Sequence, residues 1–134
     1  MPRFPDTEPG SIAYAAVTLA THRATVAAIG CYTRTGRTAR ILSSLRPRVP
    51  ILAFSPDQHI VDRLSLVHGV VARRCDALDE TSDRVAGLER IVDEARIVRG
   101  GATVVLVTST ASPGSGPTRV GIHRVPWHRR VAPT

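Results

Sequence analysis

Short apolar runs alternate along this chain with longer segments whose apolar residues recur at helical spacing, and this alternation restricts the fold more than any other feature. We predict strands at 25–32, 50–54, 70–73 and 103–108. We predict helices at 11–22, 36–46 and 55–67, and a long fourth helix from Thr81 or Ser82 to Gly100-Gly101. The strand runs are nearly continuously apolar, which is typical of strands buried on both faces. Strands that alternate with amphipathic helices predict a parallel sheet between two helical layers.

A fifth strand is predicted at 118–125, after a connection of only about eight residues from the fourth. A parallel crossover needs a dozen residues or more, so this last strand is expected to run antiparallel to its neighbour. The fold class is therefore an α/β, three-layer αβα sandwich with a mixed five-stranded sheet. With 134 residues the chain fits one domain. We place an N-terminal extension at 1–10, the folded domain at 11–125 and a flexible basic tail at 126–134.

Helix starts are predicted from residues that cap the first turn. Ser11 is expected to cap the first helix. For the third helix, Ser55 stands at the cap, Pro56 at the first helical position and Gln58 three residues after the serine, as in a capping box. Thr81 or Ser82 is expected to cap the fourth helix.

Several classes of protein are excluded by composition. No apolar run approaches the ~20 residues needed to cross a bilayer, and the first ten residues do not resemble a secretion signal, so a cytoplasmic location is expected. Cys31 and Cys75 are too few for a disulfide framework and are expected as reduced thiols, with Cys31 a small buried hydrophobe. Histidines are scattered without the spacing of metal ligands, which favours surface or tail positions: His22, His59, His68, His123 and His128.

All 18 basic residues are arginine, and the net charge is +7. Six arginines and no acidic residue lie between positions 21 and 56, and four arginines and no acidic residue lie beyond position 100. The stretch between them is nearly neutral. A fold that brings the two basic stretches together would create an anion site.

Two loops at the carboxyl edge of the predicted sheet are candidates for that site, because ligands of α/β sheets gather there. The loop 33–38 combines hydroxyls, a glycine and the amides of a helix N-terminus, which suit a phosphate. The second loop is small and polar and can close over an anion with backbone amides. The candidate phosphate-binding residues are Thr33, Arg34, Thr35, Gly36, Arg37, Thr38, Ser112, Gly114, Ser115 and Gly116. A P-loop is excluded, since it needs a lysine.

These motifs resemble the C-terminal domain of pyruvate kinase. Residues 33–39 match its T-x-[ST]-G-x-[ST]-A pattern, and residues 46–53 match R-P-x-x-P-I-x-A. Gly69-Val70 before the third strand and the glycine-rich 113–116 segment continue the likeness, which covers about residues 11–125. The resemblance implies a sheet order of 3-2-1-4-5 with the last strand antiparallel.

The resemblance also implies a regulatory role. The family's active site, with its Mg²⁺, K⁺ and essential lysine, lies in a separate barrel, so no catalysis and no cofactor are expected of this chain alone. In many members the two loops hold a sugar-phosphate effector, which makes a phosphorylated metabolite the expected ligand. The tryptophan and basic residue that often bind a second phosphate are not matched, because Trp127 lies in the tail and Arg84 is only approximately placed. A monophosphate is therefore the expected form.

Two other functions stay open from the sequence. The chain could be the subunit of a split pyruvate kinase that docks on a separate barrel chain. It could also be a basic nucleic-acid-binding protein, given its charge and His128-Arg129-Arg130 in the tail. Few aromatic residues and the absence of a recognition motif disfavour the nucleic acid. A homo-oligomer is possible on the family pattern, and no membrane partner is expected.

Overall fold

The computed structural model describes residues 8–78, 84–109 and 117–127. The helices are α1 (Glu8–His22), α2 (Arg37–Ser44), α3 (Gln58–Leu64) and α4 (Arg84–Ala95). The strands are β1 (Val26–Tyr32), β2 (Ile51–Ser55), β3 (Val70–Arg74), β4 (Thr103–Ser109) and β5 (Pro117–Arg124). None of the helices in these ranges is long and apolar enough to cross a membrane.

The five strands form one sheet in the order β3-β2-β1-β4-β5. Strands β1 to β4 pair in parallel, and β5 pairs antiparallel with β4. Both the predicted fold class and the sheet order implied by the family resemblance are therefore confirmed. β1 lies at the centre, with Ile29 beside Ile51 of β2 on one side and Val105 of β4 on the other.

The helices cover the two faces of the sheet unequally. One face packs against α1, α2 and α3, and its core includes Ala16, Leu42 and Leu64. On the other face, α4 is the one helix of the described residues, and it packs there through Leu88 and Val92. Right-handed crossovers explain why α2 and α3 lie on one face and α4 on the other. The connections from β1 to β2 and from β2 to β3 step toward one edge of the sheet, whereas the connection from β3 to β4 steps back toward the other edge.

Helix starts differ from the sequence prediction at two places. α1 begins at Glu8, so Ser11 lies inside the helix and the predicted cap is wrong. Asp57 caps α3, with its carboxylate accepting from the amide of His59 at 2.9 Å. Ser55 stays in β2, where its carbonyl accepts from the amide of Cys75, so the predicted capping box is also wrong. The predicted cap of α4 lies outside the described residues. The predicted end of this helix at Gly100-Gly101 is wrong, because α4 ends at Ala95 and Arg96 takes a positive φ of 53°.

The chain beyond β5 is docked as far as Trp127. Val125 exchanges backbone hydrogen bonds with Gly101 and Ala102, and the Trp127 ring lies against Gly101, where it leaves no room for a side chain. Gly101 has a positive φ of 87°. The rest of the predicted tail, 128–134, lies outside the described residues.

His123 joins β5 to α4, contrary to the expected surface role of the histidines. Its Nδ1 lies 3.0 Å from Glu89 Oε2, and its Nε2 lies 2.8 Å from Asp93 Oδ1. The two acids stand four residues apart on α4 and so share one helix face. The His123 side chain is only 11% exposed. Sequence spacing could not reveal this contact, because its partners are about thirty residues away.

Replacement of His123 should therefore loosen the α4 layer. We expect His123→Ala to lower the free energy of unfolding by about 2 kcal/mol, the usual range for a hydrogen bond to a charged group. Urea unfolding of the variant measures this. The same substitution in a Glu89→Gln, Asp93→Asn background should cost much less, and an equal cost in both backgrounds would contradict the role of the carboxylates.

Candidate functional site

The loop at 33–38 leaves the carboxyl end of β1 and opens α2, as predicted. Its turn is closed by two threonine hydroxyls. Thr33 Oγ1 accepts from the amide of Gly36 at 2.8 Å, and Thr35 Oγ1 accepts from the amide of Arg37 at 3.3 Å. These hydroxyls hold backbone amides and so fix the shape of the turn. The amides of Gly36 and Arg37 are therefore already bonded within the turn.

The start of α2 nevertheless keeps the character of an anion site. Its N-cap is Gly36, so no side chain caps the helix, and the cap residue gives no acceptor to the amides of Thr38 and Ala39. The first turn of α2 contains no acidic residue. An uncapped helix start carries about half a positive charge, which favours an anion.

Gly36 is the residue that brings the loop into α2. It adopts the left-handed conformation, with φ of 85° and ψ of −4°. A Cβ at this position would lie 3.3 Å from Leu64 Cδ2 and 3.5 Å from Ile60 Cγ2, so the turn also packs closely on α3. Both observations explain why glycine occupies this position.

A pair of glycine variants separates these two effects. Gly69 has a similar φ of 74°, but a Cβ there would meet nothing within 4 Å. Gly69→Ala should lower the free energy of unfolding by about 1 kcal/mol through backbone strain. Gly36→Ala should cost more, because Leu64 must also move. Urea unfolding of both variants tests the difference, and equal losses would contradict close packing at Gly36.

Cationic side chains lie around this edge of the sheet. Arg34 and Arg37 are exposed on the loop. Arg84, the first residue of α4, places its guanidinium 5.9 Å from the centre of the Tyr32 ring, at the end of β1. Its Nε is buried without a hydrogen-bond partner, so the group is held by stacking and has bonding capacity left over. Arg84 thus lies beside the residue that precedes the loop, whereas its place could be predicted only approximately from the sequence.

The second predicted loop cannot be placed, since Ser112, Gly114, Ser115 and Gly116 lie outside the described residues. The strands that flank it are described. Thr108 at the end of β4 is buried and pairs with Arg119 of β5, which is exposed. Both line a hollow of about 200 Å³ that also touches Val85 of α4. Polar and cationic groups therefore flank the carboxyl end of β4 as well as that of β1.

Metal binding has no support in the described ranges, where no group of three or more His, Cys, Asp and Glu residues is placed to hold an ion. The two cysteines differ in environment. Cys31 is fully buried in β1, which raises the pKa of its thiol to about 12 and confirms its role as a small buried hydrophobe. Burial of Cys75, with a smaller contribution from Asp76, raises the pKa of that thiol to about 11 against the opposing effect of Arg74.

The Cys75 thiol should consequently react slowly with alkylating reagents, because only the thiolate attacks. Between pH 7 and 9 the rate should rise about tenfold per pH unit, and at pH 8 it should be roughly a hundredfold below that of an ordinary cysteine. Mass spectrometry after iodoacetamide treatment measures this. Cys75→Ser is the control, since Cys31 should stay unmodified in the folded protein. A rate that levels off below pH 9 would contradict the raised pKa.

The fold and this carboxyl edge define an α/β domain with a candidate anion site. The family model "Pyruvate kinase, alpha/beta domain" matches residues 10–120. The chain therefore belongs to the pyruvate kinase alpha/beta domain family.

Individual relatives agree with this assignment. The chain is 27% identical over 116 residues to the pyruvate kinase of Clostridium perfringens, covering 87% of this chain and 24% of that protein. It is 36% identical over 92 residues to pyruvate kinase 2 of Synechocystis, covering 69% of this chain and 16% of that protein. The match to the Corynebacterium efficiens pyruvate kinase is 34% identical over 92 residues, or 69% and 18%. The chain thus spans a quarter or less of the length of these relatives.

Proposed function

We propose that this domain is non-catalytic and regulatory, and that it binds a phosphorylated metabolite at the carboxyl edge of its sheet. The observation that carries the proposal is the turn at Gly36, which leads from the central strand into an uncapped helix start. Thr33 and Thr35 hold this turn in shape without a ligand. A preformed turn favours binding, because little conformational entropy is lost when the anion arrives.

The expected binding mode follows from the geometry of the loop. A phosphate oxygen would accept from the amides of Thr38 and Ala39, where the partial positive charge of α2 is concentrated. Arg34 and Arg37, on either side of the glycine, would supply charge-assisted hydrogen bonds to the remaining oxygens. The segment 110–116, which connects the adjacent β4 to β5, is expected to complete the site.

Arg84 extends the proposal to a second anionic group. Arg84 belongs to α4, and its guanidinium lies over the Tyr32 ring. The loop, in contrast, leads into α2, which packs on the opposite face of the sheet. A ligand with two separated phosphates could therefore contact the loop with one and Arg84 with the other. The stacked position of Arg84 favours a bisphosphate more than the sequence alone did.

Catalysis by these residues alone is not expected. Phosphoryl transfer requires metal ions and a cation around the transferred group, and this chain contains no lysine. Its relatives are whole pyruvate kinases several times longer than the matched region. The small share of these relatives that the match covers supports a second candidate role. In that role the domain is a separate subunit that docks on a catalytic barrel and acts on it.

Thermal unfolding with a panel of ligands tests the site. The panel contains inorganic phosphate, AMP, and sugar mono- and bisphosphates. A ligand at a hundred times its dissociation constant should stabilise the domain by about 2.7 kcal/mol. We expect one sugar phosphate to raise the melting temperature, Arg37→Ala to abolish the shift, and the control Arg63→Ala, on the exposed surface of α3, to keep it.

Each part of the proposal can fail separately. No shift with any compound, or equal shifts in wild type and Arg37→Ala, would contradict phosphate binding at this loop. Arg84→Gln should weaken bisphosphates and leave monophosphates unchanged, and an equal effect on both would overturn the role given to Arg84. Binding of nucleic acid with a steep salt dependence, unaffected by sugar phosphates, would favour the nucleic-acid alternative.

A further inference from the structure

The face of the sheet that carries α4 is only partly covered. An α-helix is about 10 Å wide, and neighbouring strands lie about 4.8 Å apart, so one helix covers roughly two strands. α4 packs on β1 and β4, and its Glu89 and Asp93 reach β5 through His123. The half of this face formed by β2 and β3 receives no helix from the described chain, although Leu52 and Phe54 of β2 are buried there.

A cleft of about 700 Å³ occupies this open half. Its apolar lining consists of Phe54 of β2 and Leu78 of the segment after β3, both almost fully buried, and of the half-buried Ile91 and Ala95 on the adjacent flank of α4. Leu78 is fixed in place, because its amide donates to the Tyr32 hydroxyl at 3.2 Å. The volume lies within the range of about 300–1,000 Å³ that is usual for small-molecule sites.

Arginines surround this apolar surface on both sides. Arg73 and Arg74 come from β3, and Arg90 comes from α4. Arg73 is the cross-strand neighbour of Phe54, and its Nη1 donates to the carbonyl of Ala72 at 3.3 Å. No carboxylate of the described residues lies within ion-pair distance of these three guanidinium groups.

The acidic residues of the cleft do not cancel this charge. Asp76 and Glu94 also line it, so its charged residues sum to a positive excess. An anion that contacts both strand and helix would give Arg73 and Arg90 the negatively charged partner that none of the described residues supplies. Hydrogen bonds to such unpaired charges are stronger than those between neutral groups.

We propose that this cleft is a second binding site, for a small molecule with a planar apolar body and one anionic group, such as an aromatic carboxylate or sulfonate. The apolar body would lie against Ile91 and Ala95, above the buried Phe54 and Leu78, and the anionic group would bind Arg73 and Arg90. The site shares no lining residue with the loop at 33–38, so it does not depend on the phosphate site.

Anilinonaphthalene sulfonate is a suitable probe, since it combines a planar apolar body with one sulfonate and fluoresces in apolar surroundings. We expect saturable binding of one probe per chain. Arg73→Gln and Arg90→Gln, both exposed side chains, should each raise the dissociation constant about tenfold. Arg63→Gln on α3 and Arg37→Ala in the phosphate loop should leave it unchanged. Cooperative thermal unfolding of each variant excludes probe binding to a partly unfolded chain.

Cys75 provides an independent readout inside the cleft. It is half-buried and lines the cavity, whereas Cys31 is fully buried. Bound probe should slow alkylation of Cys75 at least fivefold at saturation. In a separate competition experiment, naphthoate should displace the probe, whereas sodium chloride at equal ionic strength should not. Absence of saturable binding, unchanged affinity in both arginine variants, or unprotected Cys75 would each overturn the proposal. Loss of probe binding in Arg37→Ala would instead assign the probe to the phosphate loop and would equally overturn it.

Discussion

The burial of β1 on both faces and both edges is the constraint on which the rest of this structure depends. The strand pairs with β2 and β4, and its residues contribute to the cores of both helical layers. Its side chains must therefore be apolar and closely fitted. At Gly30 a Cβ would lie 3.1 Å from Leu106 Cδ2 and 3.3 Å from Val92 Cγ2, so α4 and β4 approach the strand only because no side chain is present there.

This central position also explains where the candidate sites lie. A strand with no free edge can offer only its ends to a ligand, and the carboxyl end of β1 leads into the turn at Gly36. The direction of the crossovers then places α4, of the described helices, on one face by itself, and the cleft lies beside it. One topology thus accounts for both the candidate anion site at the edge of the sheet and the cleft next to α4.

Much of this architecture could be predicted from the sequence, because each buried strand and each amphipathic helix is encoded by its own residues. The loop at 33–38 was predictable for the same reason, since its glycine and threonines act locally. Features that depend on contacts between residues far apart in the sequence could not be predicted. Asp57 replaces Ser55 as the cap of α3 because pairing with β3 holds Ser55 in its strand. The contact of His123 with α4 and the stacking of Arg84 on Tyr32 also join residues far apart in the chain.

The structure adds one detail to the loop that the sequence did not predict. Threonine hydroxyls readily bond to nearby amides, and Thr33 and Thr35 accept from the amides of Gly36 and Arg37. The remaining donors belong to Thr38 and Ala39, and the regulatory account requires that these two amides contact the anion.

Amide chemical shifts measured by NMR during titration with inorganic phosphate and AMP test that requirement most directly. The account predicts that the largest changes fall on the amides of Thr38 and Ala39, with smaller changes at Arg34 and Arg37. Changes confined to β5 and the residues after it, or no saturable change at the start of α2, would contradict it.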